Sequence, residues 1–145
     1  MSMTVRVRNM GRLQFKVKSL PVKTRRGVVR AMRSLAVPIE EDIRKSIRSG
    51  AKTGKVVKRY RPERIVQTSA PGQAPADDLG LLANSVEVDV DPVQFNLNVG
   101  AGAIYAAPLE LGSRRMLPRP FLRPAVRRWR KRIVDTIKAA VRGEL

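Results

Sequence analysis

The 145-residue sequence predicts an α+β domain, with a long kinked N-terminal helix and a C-terminal amphipathic helix packed on a small antiparallel sheet, and an extended basic arm. Three observations predict it. Apolar residues recur at steps of three and four over residues 22–49 and again over 120–143, and between those stretches residues 84–99 alternate with a period of two. A chain of this size buries roughly two-thirds of its unfolded surface in one core, so a single domain over 1–145 needs no disulfide or metal to fold.

Taken in order, Thr4-Val5-Arg6-Val7-Arg8 alternates as a short edge strand, and Asn9 is placed to cap a helical stretch running to Leu20. Pro21 ends it. From Val22 to Ser49 the apolar stripe Val28, Val29, Met32, Leu35, Ala36, Ile39, Ile43 and Ile47 marks a long helix closed by Gly50. Pro38 lies deep inside and predicts a kink or a split near Val37, because proline removes one backbone bond and crowds the preceding turn. Residues 51–76 pass from the basic run Lys52, Lys55, Lys58, Arg59, Arg61, Arg64 into Ser69-Ala70-Pro71-Gly72-Gln73-Ala74-Pro75-Ala76, without periodicity, and read as an extended loop or arm. Next, Val86, Val88 and Val90, then Val93, Phe95, Leu97 and Val99, alternate with polar residues across the turn dipeptide Asp91-Pro92, predicting a hairpin with one apolar face. Ile104 to Gly112 starts as either a strand or a short helix. Pro120 opens a final helix ending at Gly143, on which Leu122, Val126, Trp129, Ile133, Ile137 and Ala140 fall within about 80° of one another. Trp129 is expected to anchor that stripe in the core.

The sequence holds 30 Lys+Arg against 12 Asp+Glu, a formal net charge of +18. Residues 1–64 contain 19 basic and 4 acidic residues, 65–120 contain 3 and 6, and 121–145 contain 8 and 2, so both ends are basic and the middle is nearly neutral. Such an imbalance opposes self-association unless a polyanion or an acidic partner surface relieves it. With aromatics at 4%, flat faces are too few for a single-strand binding surface.

The sequence has no Cys and no His, which removes thiol nucleophiles, His-based triads and the commonest zinc and iron ligands. It also excludes a disulfide scaffold. The opening Met1-Ser2-Met3-Thr4 does not resemble a signal peptide, and no run approaches about 18 apolar residues, so neither export nor membrane insertion is expected. Gly100-x-Gly102 lacks the third glycine of a dinucleotide fingerprint, and no Walker-type Gly-Lys-Ser/Thr occurs. Glu40-Glu41-Asp42 point about 100° apart on a helix and read as a solvated face or as ion-pair partners of Arg44 and Lys45. Asp77-Asp78 reads as the cap of a short helical turn before Leu79-Gly80. Glu110 is a lone acid among apolar neighbours; a buried carboxylate needs a cationic or hydrogen-bonding partner, such as a nearby Arg, so it reads as a structural bridge and not a general acid. No enzyme activity, cofactor or metal site is expected.

Ser69-Ala70-Pro71-Gly72-Gln73-Ala74-Pro75-Ala76, followed by Gly80-Leu81-Leu82-Ala83-Asn84-Ser85, resembles the siphophage neck family of head-tail joining or tail-completion proteins, encoded between head and tail genes. A second block agrees in order and distance: Val99-Gly100, then Tyr105-Ala106-Ala107-Pro108-Leu109-Glu110-Leu111-Gly112, then Arg119-Pro120-Phe121-Leu122-Arg123-Pro124-Ala125. Leu111 stands where an aromatic is common in the family, and Ser113 where threonine is usual. The resemblance implies a non-catalytic α+β domain in the virion neck, assembled in the host cytoplasm. Its partners would be further copies of itself in a ring of about six or twelve, the head connector or head-closure protein, the tail terminator, and double-stranded DNA in the channel. On this reading Tyr60, Ser69, Pro71, Gly72 and Pro75 make intersubunit or connector contacts, and Lys52, Lys55, Lys58, Arg59, Arg61, Arg114 and Arg115 face DNA or an acidic partner. Trp129, Phe121, Glu110 and Gly112 are structural. The competing reading is a cellular basic nucleic-acid-binding module of the nucleoid or ribosome type.

Overall fold

Val28, Ala31, Met32, Leu35, Ile39, Ile43 and Ile47 form a continuous buried stripe, and the helix that carries it organises the rest of the chain. In the computed structural model, which describes residues 3–6, 17–77 and 79–143, the elements are β1 (Met3–Arg6), α1 (Val22–Ser49), β2 (Val56–Tyr60), β3 (Glu63–Gln67), α2 (Leu81–Asn84), β4 (Val86–Asp91), β5 (Asn96–Ala101), α3 (Ala106–Leu111) and α4 (Leu122–Arg142). The α+β architecture expected from the sequence is present. α1 packs most extensively on α4 and next on β4.

The main sheet is antiparallel in the order β1-β5-β4. In the β4–β5 pair Val86 sits opposite Ala101, Val88 opposite Val99 and Val90 opposite Leu97, and all six are buried. Alternation places Glu87, Asp89 and Asp91 on the other face. β1 pairs with β5 in the register Met3↔Ala101 to Arg6↔Asn98, as an edge strand. The predicted strand residues Val7 and Arg8, and the predicted helix from Asn9 to Lys16, lie outside the described residues.

Several expectations are corrected. Of the kink or split expected near Val37, the split does not occur: α1 is one helix from Val22 to Ser49 with Pro38 inside it. Leu35 and Ile39 are buried on either side of it, so packing holds the segment, and Ser34, whose carbonyl loses its helical donor, is exposed to water. Gly50 ends α1 in an extended rather than left-handed conformation, and its N–H bonds to the Ser46 carbonyl. The Asp91-Pro92 turn is longer than a dipeptide: Asp91 Oδ1 accepts from the N–H groups of Val93 and Gln94, and Val93 is left 71% exposed while Phe95 turns inward. Residues 106–111 are helical. The final helix starts at Leu122 and ends at Gly143, whose left-handed φ of 80° closes it.

The largest correction concerns the arm. Residues 56–67 are a second antiparallel sheet, a β2–β3 hairpin turned by Arg61–Pro62. Its apolar residues come in adjacent pairs, Val56-Val57 and Ile65-Val66, so no period of two marks it in the sequence. A strand acquires strict alternation when one face is buried, and none of these ten residues is buried.

Candidate functional site

The sequence blocks that carry the family resemblance meet in space. The 68–76 segment folds back on its own subunit: Gly72 N–H donates to the Pro118 carbonyl at 2.9 Å, and Gln73 accepts from the N–H groups of Thr53 and Ala70 while donating to Thr53 Oγ1. Lys52 Nζ donates to the carbonyls of Ala74 and Pro75, at 3.2 and 2.8 Å. Burial lowers the Lys52 pKa from the ordinary lysine value, and the Asp77 carboxylate partly opposes that shift. The same carboxylate, after burial as the main cause, raises the pKa of Tyr105. Asp77 Oδ2 also accepts from the Ala83 N–H, so it caps α2 as the sequence predicted. Asp78 lies outside the described residues.

Glu110 joins the two parts of the second block. It is 1% exposed, and its two oxygens accept from the backbone N–H groups of Phe121, Leu122 and Arg123 at 2.7–3.0 Å. The structural role expected for it is present, and of the two kinds of partner expected it takes the hydrogen-bonding one, the N-terminus of α4. Free N–H groups and the positive end of the helix supply what a buried carboxylate needs. Gly112, at φ 83°, lies where a Cβ would come within 3.0–3.1 Å of Pro118 and the Met116 carbonyl, so the turn into Ser113–Met116 requires glycine. Phe121 is buried. Trp129 packs against the core as the stripe suggested, but only half-buried at its rim, where Nε1 donates to Asp42 Oδ2 at 3.0 Å beside the Arg128–Asp42 ion pair. The Arg132 guanidinium lies 5.0 Å from its ring centroid. In the acidic run, Glu40 pairs with Arg44 and Asp42 reaches α4.

From the folded-back loop the hairpin projects. At its base Gly54 N–H bonds to the Thr68 carbonyl at 2.8 Å and Thr68 N–H to the Lys55 carbonyl, and a Cβ on Gly54 would come within 2.6 Å of two carbonyl oxygens. Val56, Tyr60 and Ile65 are 65%, 75% and 76% exposed. Pairing in register, Lys58↔Ile65 and Tyr60↔Glu63 share one face with Val56 and Gln67, while Val57↔Val66 and Arg59↔Arg64 share the other. Lys58 pairs with Glu63 and lies 5.6 Å from the Tyr60 ring centroid.

The predicted contact residues therefore divide. Tyr60, Pro71 and Gly72 are exposed, as are Lys55, Lys58, Arg59, Arg61, Arg114 and Arg115. Ser69 and Pro75 are buried within their own subunit, and Lys52 is engaged with loop carbonyls, so within the subunit these three support the hairpin base.

Sequence reasoning missed a basic groove. Arg25, Arg26, Arg30 and Arg33 on α1 surround an open groove of about 460 Å³ floored by Val29 and Phe95. Among the described residues none of the four forms an ion pair, and α1 carries no acid before Glu40. Its first turn has neither an acidic residue nor a side-chain cap. Cations near a helix N-terminus oppose the dipole, so an external anion would stabilise this end. The readable signal was the charge of the helix by halves: residues 22–39 hold five cations and no acid.

No family model matches the chain, and comparison with curated proteins and with solved structures finds no match either. Among the described residues there is no cluster of three or more metal-ligating side chains, and no helix is long and apolar enough to cross a membrane.

Proposed function

We propose that this chain is a structural protein of the tailed-phage neck, joining the capsid connector to the tail as a homo-oligomeric ring around the DNA channel. The observation that carries the reading is the convergence of the quoted sequence blocks: Gly72 on Pro118, Asp77 on Ala83, and Glu110 on Phe121–Arg123 make one hydrogen-bonded scaffold that supports a projecting hairpin. The role calls for rigid placement and charged surfaces, with no catalytic step and no cofactor. In a ring, repeated copies multiply the basic surface, and the arginines of α1 with those of the 113–116 turn would hold phosphate backbones without reading sequence. The head-closure and tail terminator proteins are the neighbours this role requires.

A map of assembled particles tests the reading, together with deletion of the gene. The expected result is the protein in the neck and, in its absence, separate heads and tails. Particles that lack the protein, or that join normally without it, overturn the proposal. The arginines of α1, which form no ion pair among the described residues, favour one second reading, a cellular nucleic-acid-binding module. That reading predicts duplex binding by the isolated monomer, with log affinity falling by about 0.9 per phosphate contact for each unit of log salt.

A further inference from the structure

We propose that the β2–β3 hairpin of one copy pairs with the free edge of β4 in the next copy, extending the three-stranded sheet across the subunit boundary. The proposal deepens the ring reading and rests on it for the closed assembly; the partner it names is a second copy of this chain.

β4 is the last strand in the order β1-β5-β4. The Gly102 N–H donates to the Ser85 carbonyl, one register step before Val86↔Ala101, so Ser85 belongs to a hydrogen-bonded pair with β5. Antiparallel alternation then gives Glu87, Asp89 and Asp91 to the same set and turns the N–H and C=O groups of Val86, Val88 and Val90 away from β5. Arg44 Nη2 takes the Val86 carbonyl at 3.2 Å and closes one end of that edge. Among the described residues nothing takes the outward backbone groups of Val88 and Val90, which are left as a template for another strand.

The hairpin supplies a strand of matching character. None of its ten strand residues is buried, although Val57, Arg64 and Val66 on one face are half-buried, and a two-stranded hairpin that buries so little is marginal in water, so a further strand beside it would add to its order. One face carries Arg59 directly opposite Arg64, a like-charge pairing that weakens a sheet. The β4 solvent face carries carboxylates at alternate positions, Glu87, Asp89 and Asp91. Aligning those two faces sets guanidinium groups beside carboxylates, and it places the exposed Val56, Tyr60 and Ile65 on the side of Val88 and Val90.

Charge also selects the geometry. Two β4 edges repel through their acids, and two hairpins repel through residues 55–64, which hold Lys55, Lys58, Arg59, Arg61 and Arg64 against Glu63 alone. Only hairpin-to-β4 contact is attractive. Two different patches then meet, which makes the interface head-to-tail, the type that closes into rings.

Charge exchange tests this on the intact chain by sedimentation at low ionic strength. The wild type is expected to assemble, while Arg59→Glu/Arg64→Glu and Glu87→Lys/Asp89→Lys should each self-associate at least about a hundredfold more weakly. Mixing the two variants should restore assembly, since each hairpin then meets a stripe of opposite sign. Hydrogen exchange adds a direct readout: the Val88 and Val90 amides should be protected in the assembly and exchange faster in either variant alone, with unchanged circular dichroism showing that the body is folded. A wild type monomeric up to its solubility limit, variants that assemble as the wild type does, no rescue on mixing, or no added protection at Val88 and Val90 would each overturn the proposal. Particles found to lack the protein would overturn the neck reading while leaving this contact standing.

Discussion

Every second residue of β4 is buried, and no residue of β2 or β3 is. Both are short antiparallel strands rich in valine and charge, yet β4 lays its valines on α1 while the hairpin stands away from the body. The difference teaches where alternation comes from. A buried face imposes period two on β4, whereas a hairpin with no buried residue, only half-buried at Val57, Arg64 and Val66, places valine and isoleucine next to each other at little cost. It also separates two kinds of region: the body holds the buried core, and the hairpin holds exposed surface.

The sharpest way to test the division is to remove what holds the body together. Glu110→Ala leaves three N–H groups at the start of α4 without their acceptor, two of them in buried surroundings. The expected loss is about 3–5 kcal/mol in urea unfolding, the range for breaking a buried charged contact. Ile43→Ala, at a fully buried position on α1, is expected to cost about 2–5 kcal/mol. Ile65→Ala on the hairpin should fall within about 0.5 kcal/mol of the wild type. An Ile65→Ala loss as large as that of Ile43→Ala would erase the comparison and place the hairpin in the core.

A smaller effect is expected where α1 and α4 meet at the rim. Asp42 binds Arg128 and the Trp129 indole, all partly open to water. Asp42→Asn keeps an acceptor for the indole and removes the charge opposite Arg128, so the loss should be about 1 kcal/mol. Addition of salt should weaken the wild type toward the variant.

The body was legible in the sequence because each of its elements has one wet and one dry side. The stripe from Val28 to Ile47, the alternation from Val86 to Val90 and the Gly143 terminus were all readable from period and punctuation. Three features were not. The hairpin has no dry side to impose a period. The partner of Glu110 is the N-terminus of a helix, made of backbone, which has no side-chain signature. The arginine groove forms only when Phe95, brought in by the β4–β5 turn, comes beside α1. Trp129 fell on the apolar stripe, but its N–H requires an acceptor, and Asp42 holds it at the rim.

The smallest expected effect lies at the joint between the two regions. Lys52 donates to the carbonyls of Ala74 and Pro75 beneath the hairpin, and burial holds its pKa below that of an unfolded lysine. Between the two pKa values the unfolded chain binds more protons than the folded one, so stability rises with pH across that alkaline window and is insensitive to this group below it. Lys52→Met should flatten the rise, and the quantity to compare is the slope of unfolding free energy against pH, since the substitution also removes two hydrogen bonds and lowers stability at every pH. Direct titration of the Lys52 ammonium by nuclear magnetic resonance checks the sign independently. A pKa at or above the ordinary lysine value would mean that the Asp77 charge outweighs burial. The 69–76 loop would then rest on an ion pair, and the joint would weaken with added salt, whereas a joint held by carbonyl acceptors on a partly desolvated ammonium should respond little.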